Sequence, residues 1–94
     1  MTELTIEVFT SPRCPHCPAA VRATKELMAQ HPELEDKVGW KELSVATPEG
    51  SRKANEYGIR GVPTIILTDK DGNKGGIVGA PAVKRYYEVV SQML

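Results

Sequence analysis

Along Leu4–Phe9, "LTIEVF", apolar Leu4, Ile6 and Val8 alternate with Thr5, Glu7 and Phe9 in a run rich in β-branched residues, the period-two pattern of a strand. The period then lengthens. Cys17, Ala20, Val21, Thr24, Leu27, Met28 and His31 recur at steps of three and four, which marks one face of an amphipathic helix. His31-Pro32 closes it, because proline pushes the preceding residue out of helical space. Gly39–Val45 alternates more weakly, with Leu43 and Val45 between polar neighbours, and predicts a second strand. Thr47-Pro48-Glu49 then supplies an N-cap, a proline for the first helical position and an early acid, and Gly58 is a natural stop, so a short helix is expected over Pro48–Tyr57. Thr64–Thr68, "TIILT", reads as a third strand, and "DKDGN" turns it back into a glycine-broken fourth, Lys74–Val78. From Pro81 onward Val83, Tyr86, Tyr87, Val90 and Met93 or Leu94 share one stripe of a closing helix, with Pro81 suited to its first turn.

The order is therefore strand, helix, strand, helix, strand, strand, helix. A strand-helix-strand unit is parallel and right-handed, and the later hairpin adds antiparallel strands. The expected fold class is α/β, a four-stranded mixed sheet covered by three helices, βαβ followed by ββα. Such a sheet puts the end of its first strand, and the cysteines just beyond it, at the rim. The 94 residues contain no repeat, linker or low-complexity tract and read as one domain over 1–94. A domain of this size buries roughly 60 to 70% of its unfolded surface, enough to fold without covalent staples.

Composition removes several function classes. Twelve basic side chains are matched by twelve acidic ones, so nothing in the charge balance favours nucleic acid or an anionic membrane as partner. Apolar runs are far short of a membrane span, and "MTELTIEVF" lacks a basic region followed by an apolar signal segment. The expectation is a cytoplasmic monomer.

The candidate chemistry lies in "SPRCPHCPAA", which holds both cysteines of the chain. In the cytoplasm, close cysteines serve redox or metal chemistry more often than permanent crosslinking, and a bridge over two residues closes too small a loop to restrict the unfolded chain much. A closed zinc site needs about four ligands, yet His16 is trapped between the cysteines and His31 lies about four helical turns away. The reagent reading is left in front. Cys14 is expected at or just before the first helical turn, where unpaired N–H groups and the helix dipole favour an anion, and Cys17 inside that turn on the apolar stripe. Lowering a thiol pKa from about 8.5 to about 6.5 or 7 turns about 3% thiolate at pH 7 into half or more. Pro15 suits the start of a helix, while His16 and Arg13 bring groups that can stabilise a thiolate, although His16 also reads simply as a surface histidine. Pro18, one residue deeper, is expected to distort the first turn.

A strand leading to "CPHC" at a helix start resembles the thioredoxin superfamily, and "YGIRGVPTIIL", Tyr57–Leu67, resembles the family's cis-proline segment. "VGA", Val78–Ala80, resembles the neighbouring substrate-facing loop, so the likeness runs in order along almost the whole chain. Its length resembles a minimal, glutaredoxin-sized version, the small glutaredoxin-like thioredoxins of the archaeal type. The resemblance implies a thiol–disulfide oxidoreductase that reduces protein disulfides through Cys14 and Cys17, needs no cofactor beyond that redox-active pair, and is recycled by a thioredoxin reductase-type flavoprotein. It implies a cis bond at Val62-Pro63, where the sequence alone favours trans, and a substrate groove formed by Val62, Pro63, Gly79 and Ala80. A plain turn glycine is the alternative reading of Gly79.

Departures from the family pattern are equally specific. Arg13 replaces the tryptophan before the first cysteine, and the single Trp40 falls in a strand, as packing. Val8 stands where thioredoxins carry a buried acid; Glu7 beside it is expected on the opposite sheet face, which leaves water or Glu7 to take the Cys17 proton. The acidic pair that glutaredoxins use for glutathione is missing from "GGIVGAPAV". Pro15-His16 is the dipeptide of strongly oxidising disulfide oxidases, and the potentials of the two classes, about −270 and about −120 mV, differ by roughly 7 kcal/mol for two electrons. A glutaredoxin-like or oxidising exchange protein is the alternative reading, and a metal-binding module a more distant one.

Overall fold

The computed structural model describes residues 2–94. Its elements are β1 (Leu4–Thr10), α1 (Cys17–Gln30), a single 3-10 turn (Pro32–Leu34), β2 (Val38–Ser44), α2 (Pro48–Glu56), β3 (Thr64–Asp69), β4 (Lys74–Val78) and α3 (Val83–Met93). They form one sheet in the order β2-β1-β3-β4. The β1–β2 pair is parallel, whereas β1–β3 and β3–β4 are antiparallel. This is the expected four-stranded mixed sheet with three helices.

β1 lies inside the sheet and is covered on both faces, so its alternation sorts residues between two apolar layers. Leu4, Ile6 and Val8 pack with Ala20 and Leu27 of α1, Ile65 and Leu67 of β3, and Tyr86 and Val90 of α3. Phe9 faces the other way, into a smaller cluster with Leu43, Ala54 and Ile66 under α2. Glu7 shares that second face and is only 3% exposed. In the first layer the Thr24 hydroxyl donates to the Ala20 carbonyl at 3.0 Å and meets the Tyr86 hydroxyl at 2.7 Å. Trp40 packs against the edge of this layer, as expected.

Of the three helix starts, only that of α2 is fixed by a side-chain cap. Thr47 Oγ1 accepts from the Gly50 N–H at 3.1 Å and donates to the Ser44 carbonyl at 2.7 Å, fixing α2 at the expected position. A Cβ on Gly50 would overlap that carbonyl, so glycine lets the helix start close against β2. α3 begins later than expected: Ala82 is its N-cap in an extended conformation, which leaves Pro81 outside the first turn. α1 also begins later, with His16 as N-cap, so Pro15 lies before the helix and Pro18 occupies its first turn. Pro18 costs that turn no hydrogen bond, because the first turn has no intrahelical use for its N–H.

Candidate active site

Cys14 and Cys17 form a disulfide with their Cα atoms 5.4 Å apart. The Cys14 N–H donates to the Ser11 carbonyl at 3.1 Å, which folds the segment after β1 into a turn. The two sulfurs have unequal surroundings, as the sequence implies. Cys14 is half-buried, while Cys17, at the first position of α1, is 3% exposed. Ala19 and Ala20 both donate to the His16 carbonyl and Pro18 has no N–H. Cys17 stands at the first position of α1, where an N–H has no intrahelical acceptor. His16 and Pro15 are exposed, and the His16 side chain makes no capping bond to α1.

The sheet register aligns the remaining residues along the same rim. Phe9 is paired with Thr64 and Thr64 with Val78, so the next step places Thr10, Pro63 and Gly79 side by side. The Val62-Pro63 bond is cis, and the Pro63 carbonyl accepts from the Gly79 N–H at 2.9 Å. Pro63 is buried, Val62 is half-buried, and Val62 shares a hollow of ≈ 290 Å³ with Ser11 and Arg60. Gly79 has φ 94°, a conformation that L side chains rarely adopt, with open space where a Cβ would stand. Ala80 beyond it is exposed.

A second hollow, of ≈ 490 Å³, flanks the disulfide on the β2 side, and Thr10, Cys14, Cys17, Arg22, Lys25 and Glu42 line it. Sequence reading did not single out Glu42; its signal is the parallel register, which pairs it with Val8. Glu7 is excluded as the partner of Cys17 because it lies in the opposite layer and is fully engaged there. It accepts from Lys53 Nζ at 2.9 Å and from the Tyr57 hydroxyl at 3.0 Å, with its side chain only 4% exposed. The hydrogen bond to Glu7 raises the Lys53 pKa against the opposing effect of desolvation, while burial, then the same carboxylate, raises that of Tyr57. Among the described residues no group of three or more His, Cys, Asp or Glu side chains could hold a metal ion, and no helix is long and apolar enough to cross a membrane.

A dithiol–disulfide pair at the first turn of a helix, on the rim of a mixed sheet with a cis-proline beside it, defines a thiol–disulfide oxidoreductase. Residues 2–94 match the family described as Thioredoxin-like domain. Thioredoxin of Methanocaldococcus jannaschii is 38% identical over 94 residues, covering 100% of both chains. The probable thioredoxin of Methanothermobacter thermautotrophicus is 34% identical over 86 residues, 92% of this chain and 91% of its own. The chain belongs to the thioredoxin family. In solved structures the same fold is found in chloroplastic thioredoxin z, with a TM-score of 0.80 at 22% identity over 97% of this chain and 78% of that one. Reduced Schistosoma mansoni thioredoxin pre-protein has a TM-score of 0.78 at 22% identity, over 99% and 81%.

Proposed function

We propose that this oxidoreductase works in the reducing direction on protein disulfides, with Cys14 as the attacking sulfur and Cys17 as the releasing one. The observation that carries the assignment is the difference in exposure: a bulky disulfide can reach half-buried Cys14, not Cys17 at 3%. Cys14 thiolate attacks one sulfur of the substrate, a mixed disulfide forms, and Cys17 then attacks Cys14, releasing reduced substrate and closing the Cys14–Cys17 bond. Val62, Pro63, Gly79 and Ala80 receive the substrate as extended peptide, for which the half-buried Val62 backbone beside the cysteine turn is suited. A flavoprotein of the thioredoxin reductase type returns the electrons, so the protein itself needs no cofactor. It works as a monomer in the cytoplasm.

Exposed Pro15-His16 is the observation that favours a second reading, electron flow in the oxidising direction, because a dipeptide bordering Cys14 acts directly on the thiolate. Two measurements test the proposal. Insulin reduction driven by a dithiol is expected from the intact protein and lost in Cys14→Ser, while Cys17→Ser accumulates the mixed disulfide. Equilibration of the pair against glutathione is expected to give a potential near the thioredoxin value of about −270 mV; a value near −120 mV reverses the direction.

A further inference from the structure

We propose that Glu42 accepts the Cys17 proton in the second half of the exchange reaction, through a water molecule in the cleft that both side chains line. The assignment rests on the reading of Cys17 as the releasing sulfur. Cys17 must lose its proton to attack, and near pH 7 an ordinary thiol is almost wholly protonated. A base at the cleft would remove that obstacle. Arg22 and Lys25 from α1 are cations, Thr10 and Ser11 carry neutral hydroxyls, and Glu42 from β2 is the one carboxylate among the lining residues. On its far side Glu42 borders a hollow at the start of α2, where Glu49 is paired with Lys41 at 3.4 Å.

Glu42 is also held in place. It pairs with Val8 in the parallel ladder and lies on the α1 side of the sheet. Buried Thr10, 3% exposed, donates its hydroxyl to Glu42 Oε2 at 2.8 Å. Oε1 has no hydrogen-bond partner among the described residues, and the exposed Glu42 side chain lines the cleft. Arg22 and Lys25 offset the negative charge that Glu42 would otherwise present to the Cys14 thiolate. With Cys14 in the mixed disulfide, the Cys17 proton passes to Glu42 and the Cys17 sulfur attacks Cys14 Sγ. The bond from Cys14 to substrate breaks, its electron pair leaves on the substrate sulfur, and solvent protonates that thiolate. Two electrons have then moved from the dithiol to substrate, and Glu42 returns its proton to solvent.

The test is stopped-flow mixing of the reduced protein with dithiobis-nitrobenzoate, which releases one coloured thiolate on attack by Cys14 and a second on attack by Cys17. In Glu42→Gln the second phase is expected to slow about tenfold at pH 7, less than the usual contribution of general base catalysis because the cleft is open to water. The difference should narrow steadily as pH rises, because hydroxide then takes over from the carboxylate as the base. Thr10→Val, which frees the carboxylate, should show a smaller slowing with the same convergence. Equal second phases in wild type and Glu42→Gln, or a deficit that persists undiminished at high pH, overturn the role of Glu42. Loss of the first phase in wild type, or its survival in Cys14→Ser, instead overturns the assignment of the two sulfurs.

Discussion

Replacing Tyr86 with Phe is expected to destabilise the protein at pH 7 and to stabilise it in alkali, and the crossing point follows from the site. Tyr86 is 0% exposed, and its hydroxyl lies 2.7 Å from Thr24 Oγ1. Thr24 uses its single proton on the Ala20 carbonyl at 3.0 Å, so Tyr86 must be the donor of the pair. Phe keeps the ring packing and removes that bond. Thr24 keeps its own donation, so the loss at pH 7 is about 1 kcal/mol.

In alkali a second effect opposes the first. Burial pushes the Tyr86 phenol up to about 12 from its ordinary 10.0, with the Thr24 hydrogen bond working weakly the other way. The folded pKa is raised, so the unfolded chain ionises first, and stability complete below pH 10 is lost as pH rises toward 12. Two pH units correspond to about 2.7 kcal/mol in all, and the loss reaches about 1 kcal/mol between roughly pH 10.5 and 11. Phe has no such proton, and every other ionisation is shared by the two proteins and cancels in their difference. Urea midpoints followed by the fluorescence of the single Trp40, measured from pH 7 to pH 11.5 with the disulfide intact, give the difference directly. A deficit in Tyr86→Phe that stays near its pH 7 value throughout would refute the reasoning.

Lys53→Met strands the buried Glu7 carboxylate with Tyr57 alone and is expected to cost about 2 kcal/mol, below the usual range for a buried pair because the Lys53 side chain is 25% exposed. Adding Glu7→Leu should recover most of that loss in urea unfolding, leaving only the Tyr57 hydroxyl without its acceptor. Thr47→Ala removes the cap of α2 and should lower stability by about 1 kcal/mol in the same assay, whereas Thr47→Ser should be close to neutral. Gly79→Val places a β-branched residue at φ 94° and should cost about 2 kcal/mol. If the groove reading holds, it also raises KM for a protein disulfide while leaving the reaction with dithiobis-nitrobenzoate nearly unchanged.

Local pattern was enough to place β1, α2, β4 and the order of all elements: alternation marks β1, Thr47-Pro48 and Gly58 bound α2, and the turn at Asp69–Asn73 sets off β4. The start of α1 was not legible in that way. Pro15 and Pro18 both suit an early helical position, and what decides between them is the turn closed by the Cys14 N–H on the Ser11 carbonyl. Pro81 failed for a related reason: fixed φ also suits the extended segment that delivers the chain into Ala82. That the segments carrying Cys14, Cys17, Val62, Pro63 and Gly79 meet on one rim was legible, because strand order brings them there. Partners across strands were not. Lys53 lies 46 residues from Glu7 and Glu42 lies 32 from Thr10, and only the register and the approach of α2 bring them together.

The two carboxylates show how the sheet divides roles between chemically identical groups. Glu7 precedes Val8 in β1, and Glu42 stands beside Val8 in β2, yet they face opposite layers. Alternation along β1 turns Glu7 toward α2, where Lys53 and Tyr57 occupy both of its oxygens and leave none for proton transfer to a thiol. Glu42 is turned toward α1, where it accepts from Thr10 through one oxygen and lines the same cleft as Cys17. Exchanging their functions would require moving one residue by a single register step, which would also turn Phe9 or Leu43 out of its layer. The apolar residues that specify the register therefore also determine which acid lines the cleft beside Cys17.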